Sequence, residues 1–446
     1  MKKSLSFKGT IPIGLMLFAT FFGAGNMILP PELGQMSGTN IWIASLGFIA
    51  SGVGLSLLAI AAISLFDGDI GKLTSRIHPA CAVIIPLIIY LAIGPFFAVP
   101  RTGIVSYEMA MSPWLNEGIQ GRWDVLFLFT LLYFSITFYL SLNPSKLVDI
   151  IGKYMTPVLL LIIGVIVVKA IITPIGPLST PSQGYEEAAF FKGFTKGFLT
   201  MDALGAFVLG GIIINAIKEK GIKSRTAIAK STIIAGCIAA IGLTGIYLSL
   251  AYIGATSIEL GKFDNGAALL AAAVQHLFGD TGLFLLGIAI LFACLTTSIG
   301  LVSACGKFFA VLLPNFSYSK IVFIICLFSF SVSNLGLSTL IKISVPVLVI
   351  MYPVAVVLII LAFLDSLIGG KQAVYVGAVM GSLLVSIVQG LESAGLANDS
   401  LLKFMQKIPL YTEGMGWLLL AILGGIIGLL IPKGAKDSSE QFKNIS

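Results

Sequence analysis

The chain has 446 residues, 57% of them apolar and only 11% charged. A water-soluble domain carries about a quarter charged residues. The composition therefore argues against a soluble enzyme, a disordered regulator and a nucleic-acid binder, and the net charge of +7 reads as the basic bias of cytoplasmic loops in a membrane protein. Long unbroken apolar runs, rather than the alternating strands of about ten residues in an outer-membrane barrel, predict a polytopic all-α protein.

Uncharged runs lie at 9–31, 41–66, 79–100, 125–145, 154–168, 203–217, 231–258, 281–306, 321–341, 343–364, 372–391 and 414–432. The run at 154–168 extends to 172, and that at 203–217 extends back through Asp202 to about 191. Twelve transmembrane helices are predicted, with a turn near 334–337 that shortens the ninth and starts the tenth near 338. The first run follows Lys2, Lys3 and Lys8 as a signal peptide would, but it continues past Gly25 to Pro31 and another run follows, so it is read as an uncleaved span. With both termini inside, inner segments hold eighteen Lys and Arg and outer segments eight, which favours cytoplasmic termini and an even number of spans.

In chain order, the first span carries Phe22-Gly23-Ala24-Gly25-Asn26 near its centre, then Pro30-Pro31 and Glu32. The third carries Gly94-Pro95-Phe96-Phe97-Ala98-Val99-Pro100-Arg101, with Glu108 seven residues on as a possible partner for Arg101. Arg101 reads as a gate at the outer entrance or as an outward-snorkelling side chain. Phe96 and Phe97 read as pocket lining or as plain packing. The sixth span carries Thr200-Met201-Asp202-Ala203-Leu204-Gly205, then Gly210-Gly211. Unwound backbone survives at membrane depth only beside protein or a polar cavity. Close helix packing is the other explanation of such glycines, but Asn26 and Asp202 set polar groups beside them.

The two breaks sit five helices apart. That spacing predicts two five-helix repeats of opposite orientation, about 10–172 and 191–364, with two further helices at about 372–432, all in one transporter domain covering 1–446. Half-helix N-termini would offer amides to a carboxylate, and freed carbonyls would face a cation or an ammonium group. Asp202 is a mid-membrane charge and hence a functional candidate; it could meet an ammonium group, a cation or a proton, or pair with Arg101. The eighth span contains Cys294-Leu295-Thr296-Thr297-Ser298-Ile299-Gly300, whose hydroxyls suit a small hard cation, sodium above all, unless they bond back to their own helix.

Five cysteines, at 81, 237, 294, 305 and 326, form no paired motif, and two histidines, His78 and His276, cannot build a zinc site. No P-loop is present. Neither an intramembrane enzyme nor a receptor is supported, and no cofactor, nucleic acid or obligatory protein partner is expected besides the lipid bilayer.

The segments Phe18-Ala19-Thr20-Phe21-Phe22-Gly23-Ala24-Gly25-Asn26-Met27-Ile28-Leu29-Pro30-Pro31 and Gly94-Pro95-Phe96-Phe97-Ala98-Val99-Pro100-Arg101-Thr102 carry a resemblance to the bacterial branched-chain amino-acid carriers, the leucine/isoleucine/valine:cation symporter family. The resemblance runs from about 9 to 432. It implies a LeuT-like five-plus-five inverted repeat with two extra helices, in the bacterial cytoplasmic membrane. It also implies that the amides of Gly23, Ala24 and Gly25 hold a substrate carboxylate. The carbonyls of Ala19, Phe22 and Cys294, with the hydroxyls of Thr297 and Ser298, match a shared sodium site. Asn26 matches a side chain of a second sodium site in some relatives, and Asp202 has no clear counterpart. Phe96, Phe97, Leu204 and Phe207 are expected to set the apolar volume of the substrate pocket. The implied function is sodium-coupled uptake of leucine, isoleucine and valine, and the alternative is proton coupling through Asp202.

Overall fold

The computed structural model describes residues 7–116, 118–119, 121–143, 155–182, 184–222, 224–263 and 265–432, and among them every regular element is a helix. Within hydrocarbon a lone apolar run can pair all its backbone groups only by coiling into a helix. The first run forms α1 (Phe7–Phe21) and α2 (Ala24–Ser37), parted by Phe22 and Gly23. The second forms α3 (Ile41–Ile49), a π turn and α4 (Leu55–Leu65). After the short α5 (Ile70–Thr74) come α6 (Cys81–Leu91), a π turn at Ala92–Phe96 and α7 (Ala98–Ser106). Next are α8 (Trp123–Ser141) and α9 (Thr156–Ile172). The sixth run is again two helices, α10 (Ala189–Phe198) and α11 (Asp202–Glu219), bent by 42° at the break. The remainder is α12 (Arg225–Ala255), α13 (Gly266–Leu312), α14 (Tyr318–Ser333), α15 (Leu337–Ile368), α16 (Gln372–Ser393), α17 (Asp399–Met405) and α18 (Trp417–Leu430).

Among the described residues seven helices are long and apolar enough to cross a membrane, or eight if the bent pair is one span. Four further apolar helices are shorter, at Gly9–Phe21, Thr156–Ile172, Tyr318–Ser333 and Trp417–Leu430. The turn expected near 334–337 is present: α14 ends at Ser333, and Gly336 takes a φ of 89° before α15 begins. α13 starts well before the expected residue 281. Asn265 caps a leading segment, its Oδ1 accepting from the Ala267 and Ala268 amides at 2.9 and 3.0 Å, and the helix kinks at Gly279. Lys2, Lys3, Lys146, Lys153, Lys223, Lys433, Lys436 and Lys443, which enter the charge count, lie outside the described residues.

The chain divides into two compact units: residues up to Gly68 with Ile88–Ser344, and Asp69–Leu87 with the chain from Val345 onward. In the first unit small residues bring helices together, since lipid gives helices no hydrophobic reason to associate and close packing takes its place. A Cβ on Gly254 of α12 would run into the backbone of Pro31 in α2. Gly193 of α10 meets the backbone of Ala44 in α3 in the same way. An ion pair at 2.5 Å between Lys196 of α10 and Glu32 of α2 ties the two half-helices to each other. In the second unit, Gly377 of α16 lies against Gly424 of α18. There Asp365 accepts from Tyr375 Oη at 2.8 Å and pairs with Arg76 at 3.1 Å.

Candidate functional site

Both helix breaks open onto one small cavity, about 30 Å³, in the first unit. At the first break the Phe22 amide still bonds to the Phe18 carbonyl at 2.7 Å, and the two rings stack at 5.4 Å. Gly23 is then extended and α2 starts afresh at Ala24. At the second break Met201 takes the left-handed conformation, with φ 66°, and α11 starts at Asp202. Each break thus presents the carbonyl end of one helix and the amide end of the next, the polar ends that transporter sites use at membrane depth. Gly23, Ala24, Gly25, Asn26 and Asp202 all line the cavity.

A buried network joins the breaks. Asn26 Nδ2 donates to Asp202 Oδ2 at 2.7 Å, and Tyr247 Oη of α12 donates to the same oxygen at 2.7 Å. Asn26 Nδ2 also donates to Tyr247 Oη. The Asn26 Oδ1 accepts from the Gly23 amide at 3.3 Å, which fixes the turn before α2. Asn26, Asp202 and Tyr247 are each 2–3% exposed. Tyr247 was not singled out in the sequence, where it is one aromatic among many in an apolar run. Asp202 sits at the amide end of α11, where the helix dipole favours a carboxylate.

Arg101, on α7, is 5% exposed and also lines the cavity. It points into the site: Nη1 donates to the Leu199 carbonyl at 3.0 Å and Nη2 to the Thr200 carbonyl at 3.5 Å, both at the carbonyl end of α10. Glu108 lies further along the same segment, half-buried in a π turn at Tyr107–Met111.

On α13, Thr296 Oγ1 donates to the Ala19 carbonyl at 2.9 Å and Thr297 Oγ1 to the same carbonyl at 3.3 Å. Thr297 packs so closely on the break that a Cβ on Gly23 would lie 2.7 Å from its Oγ1. Ser298 Oγ instead lies 3.5 Å from Thr137 Oγ1 of α8, and Cys294 is fully buried. One residue along a helix is a rotation of about 100°. Adjacent hydroxyls therefore serve different neighbours, and Thr296 faces α1 where the sequence reading had paired Thr297 with Ser298.

Of the expected apolar residues, Phe97, Leu204 and Phe207 are buried but do not line the cavity. Phe96 lies outside it, 39% exposed and edge-on to Phe328 at 5.0 Å. The cause is the π turn at Ala92–Phe96, where Gly94 is non-helical (φ −84°, ψ −114°), so straight-helix periodicity does not carry through. Ile93, Ala98, Leu209 and Leu301 supply the cavity's apolar wall.

Two solved structures share this fold. Mhp1, a nucleobase-cation-symport-1 family transporter in a closed conformation with bromovinylhydantoin bound, matches with a TM-score of 0.63 and 13% identity over 96% of this chain and 94% of that one. MhsT in complex with L-phenylalanine matches with a TM-score of 0.57 and 14% identity over 96% and 99%. Identities this low speak for the fold alone, which is LeuT-like. In sequence, the branched-chain amino acid permease BrnQ of Bacillus subtilis is 48% identical over 435 residues, 97% of this chain and 98% of its own length. The branched-chain amino acid transport system 2 carrier protein of Pseudomonas aeruginosa is 44% identical over 92% of each chain. The model of the branched-chain amino acid transport protein family matches residues 6–435, so this chain belongs to that family and is a membrane transporter rather than an enzyme.

Proposed function

We propose that this protein is a sodium-coupled symporter that imports leucine, isoleucine and valine by alternating access across the bacterial cytoplasmic membrane. In this reading the seven long spans, the four shorter apolar helices and the bent pair make twelve passes, arranged as a five-plus-five inverted repeat with two added helices and both termini inside. The amides of Gly23, Ala24 and Gly25 hold the substrate carboxylate. Ile93, Leu209 and Leu301 meet the branched side chain.

The observation that carries the sodium assignment is the Ala19 carbonyl, which faces two hydroxyls of α13 beside the first break. A carbonyl freed from its helical donor, with hydroxyls directed at it, is an oxygen cluster of the kind hard cations prefer. Of the ligands expected from the family resemblance, the Ala19 carbonyl and Thr297 share this contact and Thr296 joins them, while Phe22, Cys294 and Ser298 stay in the proposed set on the resemblance alone. A cation there would clamp α13 to the break and order the carboxylate turn, so sodium and substrate affinities would be reciprocally linked.

The rival reading is proton coupling through Asp202, favoured by one observation: a carboxylate 3% exposed at the second break. Isoleucine uptake into proteoliposomes, with sodium and proton gradients imposed separately, decides between them. Uptake driven by sodium at equal pH on both sides is the expected result. Uptake that follows the proton gradient alone would move the coupling role to Asp202.

A further inference from the structure

The geometry points to Arg101 as an internal stand-in for the substrate's ammonium group: its guanidinium holds the Leu199 and Thr200 carbonyls and must leave them when substrate binds. This inference rests on the amino-acid transport reading above.

Three observations meet on this side chain. First, the carbonyl end of α10 is one of the few places in the cavity that would welcome a cation, because unwound carbonyls gather there at the negative end of a helix dipole. Arg101 already donates to two of them, at 3.0 and 3.5 Å. Second, the guanidinium lies against the turn that opens α2. A Cβ built on Gly25 would stand 2.6 Å from Arg101 Nη2, so a glycine there is what lets the cation sit between the two breaks. Third, the cavity of about 30 Å³ is far smaller than the roughly 150 Å³ of a cavity that admits benzene. Something in the wall must move. Asn26 and Asp202 are cross-tied through Tyr247, and the apolar side chains of the wall, Phe21 and Met201 among them, hold no carbonyl that an ammonium group would need. Arg101 is the cationic side chain of the wall, and the one that occupies the carbonyls of Leu199 and Thr200.

A buried cation is costly unless its partners are in place. The carbonyls of Leu199 and Thr200 provide such partners. An incoming ammonium group takes the same carbonyls, so one cation replaces another. This matters for a symporter, which has to return empty to collect its next load. An empty site stripped of cations would leave the carbonyl end of α10 unpaired in a closing cavity. Arg101 supplies the missing charge and lets the unloaded carrier close.

The test compares wild type with Arg101→Gln and Arg101→Lys, purified and reconstituted, at saturating sodium. Isoleucine binding, net uptake into empty vesicles and exchange against internal isoleucine are each measured. Net uptake needs the empty carrier to return, whereas exchange does not. For Arg101→Gln the isoleucine Kd should fall about tenfold, the gain expected when a closed state that dominates the empty protein is removed. Net uptake should fall about tenfold further than exchange does. Arg101→Lys, which keeps the charge but loses the two-pronged reach, should move both readouts the same way by less, and it carries the test if the glutamine variant does not fold. A Kd that rises in both variants makes Arg101 a ligand of the substrate and overturns the inference. So does an unchanged Kd, or a parallel fall of uptake and exchange, either of which leaves the side chain a purely structural part. Wild type that binds no isoleucine would instead refute the amino-acid reading itself.

Discussion

Tyr247→Phe removes one oxygen from the network that ties the two helix breaks and leaves the rest of the side chain in place. The ring keeps its edge-on contact with Phe48, at 5.2 Å, and its buried seat on α12. What is lost is the 2.7 Å donor to Asp202 Oδ2 and the acceptor for Asn26 Nδ2. A hydrogen bond to a charged group is worth about 1.5–3 kcal/mol, and a buried group left short of a partner costs on the same scale. Asn26 also holds the Gly23 amide, so loosening it disorders the turn proposed to grip the carboxylate. If that whole energy bears on the bound state, isoleucine affinity falls about ten- to hundredfold. The assay is equilibrium isoleucine binding to protein in lipid nanodiscs at saturating sodium, paired with thermal unfolding of the same samples. A Kd at least about tenfold higher, with a small change in Tm, is expected. An unchanged Kd with a lowered Tm would refute the reasoning, because the network would then brace the breaks equally in both states.

Thr296→Ala and Thr297→Ala should each raise the sodium concentration for half-maximal uptake several-fold, while Ser298→Ala should move it less, since Ser298 lies toward Thr137; the three sodium curves at fixed isoleucine check this order. Gly254→Ala should destabilise the protein by about 1–3 kcal/mol, the usual cost of overpacking, because its Cβ meets the Pro31 backbone; unfolding in detergent reads the loss, and an unchanged Tm would contradict the close α2–α12 packing. At Met201, whose φ is 66°, substitution by Gly should leave Tm nearly unchanged, while Met201→Val should cost about 1–3 kcal/mol, since a branched side chain is strained in the left-handed region. Asp202→Asn should impair uptake with near-normal membrane insertion, and transport assays on vesicles of matched protein content check it.

The sequence by itself determined that the chain is helical and where its first and sixth runs break. Apolar runs of about twenty residues in a chain with 11% charge leave the backbone no partners except its own, so helix formation follows from composition alone. The breaks were legible for the same reason: Gly23-Ala24-Gly25 and the segment around Met201 and Asp202 put flexible or polar residues where a straight span would want neither. Rotation about the helix axis was not legible. Whether Thr296 or Ser298 faces α1 depends on about 100° per residue, set by how α13 packs on its neighbours and not by any property of the hydroxyls. Phe96 left the cavity because the non-helical Gly94 resets the face of everything after it. The partners of the polar side chains were equally hidden. Asn26, Asp202 and Tyr247 lie far apart in the chain, as do Arg101 and Leu199, and the energy that joins them arises only once folding has removed water and left each group no other donor or acceptor.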